Sequence, residues 1–213
     1  GADNQAIGDG AVALGNASNA LGQSAIAIGD NANALSDGSI AIGRDTIASP
    51  ASVAIGANAA AGGQNATAVG RDSVASGLAT AAFGQNAAAG GDFSTAAGYG
   101  ARAVKEGDTA TGSGAFSNGG YSVAVGVNSQ TTALRATALG VDAQASGANS
   151  VAIGSSSVAD QANTVSVGSA GFQRRIVNVA AGTAATDAAN VGQVQTVATA
   201  AAAAQTTADA AVS

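Results

Sequence analysis

Glycine recurs at Gly15, Gly29, Gly43, Gly56, Gly70, Gly84, Gly98, Gly112, Gly126, Gly140, Gly154 and Gly168. Ten of the eleven intervals are fourteen residues, and the exception, Gly43 to Gly56, is thirteen. A fixed period of this kind marks a chain in which each repeat is one structural unit stacked on the next. The three residues before each glycine alternate, as in Ile26-Ala27-Ile28, Val53-Ala54-Ile55 and Val123-Ala124-Val125, and the middle one is alanine in eleven repeats and Ser166 in the twelfth. That pattern reads as a short strand with a branched face and a methyl face. Two residues after the glycine stand Asn31, Asp45, Asn58, Asp72 and their equivalents, residues that tolerate positive φ in tight turns. Five residues after it alanine returns, as at Ala20, Ala34 and Ala48, with Ser117 and Thr131 as replacements; at seven, a second glycine often follows, as at Gly22, Gly63 and Gly77. The unit is therefore two strands and two turns, one coil of a narrow parallel β-roll. Coils about 4.8 Å apart give a rod on the order of 50–55 Å long. The only proline, Pro50, falls at the half-turn of the shortened coil, where a missing backbone donor is least harmful.

Composition limits what such a chain can do. Only 9% of residues are charged and 3% aromatic. Alanine and serine supply little apolar area, so the chain buries thin layers over a long distance or packs with other chains. Cysteine and histidine are absent, and Lys105 and Glu106 are the sole residues of their types. Disulfides, thiolate metal sites and the commonest catalytic bases are thereby removed, and no enzyme, cofactor or metal is expected. A net charge of −6 argues against nucleic-acid binding. No run of about twenty apolar residues occurs, so nothing here is expected to span a membrane, and no signal-like start is visible, so this chain would be a piece of any exported protein.

The charges also bear on assembly. From Gly15 to Gly168 none falls in the four residues ending at a repeat glycine; they gather at or near turns, as in Arg44-Asp45 and Arg71-Asp72. The strand is uncharged on both faces, yet a roll one coil wide has a single interior. The second face calls for a covering partner.

After Gly168 the repeat stops. Arg174 and Arg175 precede a cluster of Ile176, Val177 and Val179, and the remainder is alanine-rich with helical propensity. Asp187 is a candidate helix cap. A heptad places Val191, Ala198, Gln205 and Val212 at one core position and Val194, Ala201 and Ala208 at the other. So small a seam cannot hold a coiled coil alone.

The repeats Asn149-Ser150-Val151-Ala152-Ile153-Gly154 and Ser122-Val123-Ala124-Val125-Gly126 resemble the head repeat of trimeric autotransporter adhesins, YadA-like heads in particular. The run Arg175-Ile176-Val177-Asn178-Val179-Ala180-Ala181-Gly182-Thr183, followed by Asp187-Ala188-Ala189-Asn190-Val191-Gly192-Gln193-Val194, is similar to that family's neck, with Ala189 and Val194 as departures. The resemblance implies an all-β, left-handed parallel β-roll head over 1–168, a neck over 169–192 and the start of a trimeric coiled-coil stalk over 193–213. It further implies a homotrimer on the bacterial surface, held in the outer membrane by a C-terminal anchor outside this chain. Its partners would be host cells or matrix proteins such as collagen, fibronectin or laminin. Arg174, Arg175, Ile176, Val177, Asn178, Asp187 and Asn190 would make inter-chain contacts in the neck, the arginines as ion pairs rather than as a carboxylate site. Val191, Val194, Ala198, Ala201, Gln205 and Ala208 would form the coiled-coil core, Gln205 setting chain register.

Other features have plainer readings. Lys105-Glu106-Gly107-Asp108 reads as a solvated corner, and Phe93, Tyr99, Phe116 and Tyr121 as gap fillers. The alternative functions are an ice-binding array or a purely structural spacer. Thr67, Thr95, Thr109 and Thr137 form no regular Thr-x-Thr ladder. A hexapeptide-repeat acyltransferase would need six-residue periods, and a calcium-binding roll a nine-residue glycine motif; neither occurs.

Overall fold

The computed structural model describes residues 1–212. Two compact units emerge, Gly1–Gln173 and a C-terminal unit that begins at Arg174. The first is a parallel β-solenoid of two twelve-stranded sheets, in which successive strands of the chain alternate between sheets. One sheet, here the long-strand sheet, runs from Val12–Leu14 to Val165–Ser166; the other, the short-strand sheet, runs from Gln5–Ala6 to Val158–Ala159.

Register follows the glycine count. Val12 pairs with Ile26 and Thr67 with Ala81, fourteen residues on, whereas Ile40 pairs with Val53 across the shortened coil. Ile47 pairs with Ala60 but Asn33 with Ile47, which confines the missing residue to the corner between Ala48 and Val53. Pro50 lies in that corner; its carbonyl accepts a bond from Asn65 N–H at 3.2 Å.

The interior is built from four columns of side chains, at three and five residues after each repeat glycine and at two and four before the next. Every buried side chain of the roll belongs to one of them, and apart from Asp108 each is alanine, serine or threonine. Two sheets can lie this close only because no buried residue is larger. The methyl face of each long strand, Ala27, Ala54 and Ala124 among others, is thus the inner face. Glycine is required at the corner leaving each long strand. At Gly70, with φ +135°, a Cβ would lie 2.5 Å from the carbonyl oxygen of Gly84 in the next coil.

The C-terminal unit contains one helix, α1, Val191–Val212, none of whose residues is buried. Its N-cap is Asn190 rather than Asp187. Asn190 Oδ1 accepts from Gln193 N–H at 3.1 Å, and Gln193 Oε1 accepts from Asn190 N–H at 3.2 Å, a reciprocal capping box. Asp187 instead folds back on the preceding turn, its Oδ2 accepting from Thr183 N–H at 2.9 Å and Ala184 N–H at 3.0 Å. These bonds hold its carboxyl below the ordinary 3.8, the Ala184 bond first among them.

Candidate binding surface

In the roll, as among all the described residues, no cluster of His, Cys, Asp or Glu could hold a metal ion. The surfaces of the roll are two outer sheet faces and two lines of corners. The outer face of the long-strand sheet carries the residues on either side of each inner alanine. Val12, Leu14, Ile55, Phe83, Val125, Leu139, Ile153 and Val165 are 37–66% exposed there. Threonine enters this face at Thr67, Thr95, Thr109, Thr111 and Thr137, but only Thr95 and Thr109 are register neighbours and only Thr109 and Thr111 share a strand, so no regular hydroxyl array forms. No charged side chain interrupts the face. The outer face of the short-strand sheet is mixed: Asn19 donates to Asn33 at 2.8 Å, and the Arg102 guanidinium lies 5.9 Å from the centre of the Phe116 ring.

Both corners of the coil use left-handed backbone. At one, Asn31 donates to Asp45 at 2.9 Å and Asn58 to Asp72 at 2.8 Å, so the residues that tolerate φ near +55° also knit adjacent coils. The second left-handed position, entering the long strands, carries no single residue type: Ser24, Ala51, Asn65, Ala79, Phe93, Tyr121 and Arg135 all occupy it. Phe93 and Tyr121 are therefore exposed at corners, as is Tyr99 at the other line, and do not fill gaps within the chain. Phe116 is half-buried.

The corner Lys105-Glu106-Gly107-Asp108 divides. Lys105 and Glu106 are exposed, but Asp108 is fully buried, four residues before Gly112 in an interior column. Its Oδ2 accepts from Lys105 N–H at 3.0 Å, and its Oδ1 from Gly120 N–H at 2.9 Å, Ser122 N–H at 3.1 Å and Ser122 Oγ at 2.8 Å. Ser117, Ser122 and Thr131 extend this network at 2.7–2.9 Å. The signal for it was in the sequence: that column carries hydroxyls at Ser39, Ser52, Thr80, Ser94, Ser122 and Ser150, and alanine at Ala25, Ala66 and Ala136, so it is the interior column that most often takes a polar side chain.

In the C-terminal unit Arg174, Arg175, Ile176, Val177, Asn178 and Asp187 are exposed, and Asn190 is half-buried. Ile176, Asn178, Val179, Ala188, Ala189, Asn190 and Val191 line a hollow of about 360 Å³. Sequence reasoning missed Gln193. Its side chain clamps Gly182 by both polar atoms, donating to the carbonyl and accepting from the N–H at 2.9 Å each, while Asn190 Nδ2 donates to Val179 at 3.1 Å. The Asn-x-x-Gln spacing was the available clue. Along α1, Val191, Val194, Ala198, Ala201, Gln205 and Ala208 are all exposed, and Gln205 Nε2 donates to Asp209 at 2.7 Å.

The family profile described as YadA head domain repeat (2 copies) matches overlapping segments that together cover 1–46, 50–101 and 103–170, more than half of the chain. The chain belongs to the YadA head family. The first break in the match falls at the shortened coil. Among solved structures, the collagen-binding domain of Yersinia adhesin YadA is similar at 31% identity and a TM-score of 0.53, covering 82% of this chain and 83% of that one. A search of curated protein sequences found no match. Among the described residues, no helix is long and apolar enough to cross a membrane.

Proposed function

We propose that this chain is the head of a homotrimeric bacterial surface adhesin that attaches to collagen or a related matrix protein without catalysing a reaction. The observation that carries the reading is the outer face of the long-strand sheet, which is uncharged along the whole roll and apolar over most of it. Exposed apolar surface on that scale belongs to an interface. Three copies packed by that face leave the short-strand sheets and corners outward, as a repetitive surface suited to multivalent attachment. In the same reading residues 169–192 are the neck and 193–213 begin the stalk. Val191, Val194, Ala198, Ala201, Gln205 and Ala208 then become a coiled-coil seam, and the hollow beside Ile176 receives a neighbouring chain. Membership of the YadA head family and likeness to a collagen-binding domain support this assignment, as does a composition poor in catalytic side chains. Light scattering of the purified chain should give three times 19.6 kDa. A folded monomer would overturn the trimer. Titration onto immobilised collagen, fibronectin and laminin tests the ligand, with saturable binding to collagen expected.

A further inference from the structure

Two bulky residues of the roll sit where bulky residues are rare. Phe93 has φ +57° and Tyr121 φ +51°, both at the corner that enters a long strand. A left-handed backbone under an aromatic side chain carries strain, and such strain gathers at functional positions. Elsewhere the same corner is occupied by Ala51 at +52° and Ala79 at +51°, so the fold itself does not ask for an aromatic. Nor does packing explain them, since Phe93 is 58% and Tyr121 54% exposed.

The intervening coil has Gly107 at this corner, and the Tyr121 ring lies over it: a Cβ there would stand 2.5 Å from Tyr121 Cδ1. The Tyr121 hydroxyl donates to Glu106 Oε1, which fixes the ring in that pose. Arg135 takes the next coil, also with positive φ at +54°. Phe93, Tyr121 and Arg135 thus form a ridge along the roll axis, with one ring immobilised before any ligand arrives.

A ridge without a pocket suits a long ligand that offers flat apolar rings at regular intervals. Phe93 and Tyr121 leave the backbone two coils apart, about 9.6 Å at sheet spacing, and the Tyr121 ring, lying over Gly107 of the coil between them, brings the two aromatics within that span. A polyproline II chain repeats every three residues at 3.1 Å each, about 9.3 Å. Its pyrrolidine rings stack on exposed aromatics, as in other proline-rich recognition. We propose that the ridge of Phe93, Tyr121 and Arg135 binds a collagen-type triple helix laid along the roll, the two aromatics stacking on imino-acid rings of one strand. The inference rests on the collagen reading above and adds the residues to it.

The test uses the full chain and a triple-helical (Pro-Hyp-Gly)10 peptide, read by surface plasmon resonance, with light scattering and thermal melting in parallel. Since alanine already occupies this corner twice, Phe93→Ala and Tyr121→Ala should fold and assemble as the parent does. The double variant should lose affinity by about tenfold or more, as expected for aromatic anchors. Gly107→Ala, which displaces the Tyr121 ring, should weaken binding as well. Phe116→Ala, on the short-strand sheet, should leave it unchanged. Full binding by the double variant would remove the ridge while leaving collagen as the ligand. A parent chain that binds neither the peptide nor fibrillar collagen would overturn the collagen reading and the ridge together. Loss of binding accompanied by a changed oligomer mass or melting temperature would make Phe93 and Tyr121 structural and also overturn the proposal.

Discussion

An interior walled by alanine accommodates the Asp108 carboxylate because the coils around it aim three backbone N–H groups and one hydroxyl at its two oxygens. Truncating it would strand those donors out of reach of solvent, at about 1–3 kcal/mol for a buried unsatisfied group. Asp108→Ala should therefore lower the unfolding free energy by about 3 kcal/mol or more in a denaturant titration. Ser94, one coil earlier in the same column, is the contrast: its buried Oγ has no hydrogen-bond partner. Ser94→Ala should be neutral or stabilising in the same titration, and equal losses at both sites would refute this account of the network. At the surface, Tyr121 titrates above its ordinary 10.0, chiefly because its hydroxyl proton is held by Glu106. Glu106→Gln should bring the phenol absorbance titration back toward that value.

Elements in the roll are two or three residues long, far too short to be stable singly, and exist because each pairs with the coils on either side. Their positions were legible because the glycine column marks every exit from a long strand. The second left-handed corner was not, because the roll accepts serine, alanine, aromatic and arginine residues there without one sequence sign. Helix α1 illustrates the same limit. Asp187 and Asn190 are both good caps by type, and only the backbone path shows that Asn190 meets the helix while Asp187 closes the turn before it. The folded pKa of Asp187 lies below its unfolded value, so its contribution is complete above the ordinary 3.8 and is lost as pH falls through the lowered value. The Thr183 and Ala184 amide resonances should shift in that acidic window and stay still in an Asp187→Asn variant.

For the whole molecule the decisive quantity is thickness. The largest fully buried side chains of the roll are Thr46, Thr80, Thr131 and Asp108, so the larger apolar residues have nowhere to go but outward. On the long-strand sheet they form the face by which, in the trimer proposed above, copies meet. Ile55→Asp combined with Ile153→Asp should reduce the mass in light scattering toward one chain of 19.6 kDa and leave β circular dichroism in place. The two isoleucines lie outside the interior columns, so unfolding of that variant would show that the face supports the single roll instead. Ala96→Leu should do the reverse and damage the roll itself, since an added branched side chain between sheets this close has no space.

Period, strand register, the glycine corner and the shortened coil at Pro50 were all determined by the sequence, because a stacked coil repeats one set of contacts and writes it out every fourteen residues. The family was legible for the same reason. What needed the tertiary structure were the features that depart from the repeat or join distant parts of it: Asp108 turned inward, the Tyr121 ring laid across Gly107, and Gln193 reaching back to Gly182. Each depends on where a neighbouring coil or turn places its backbone, and a one-dimensional period carries no record of that.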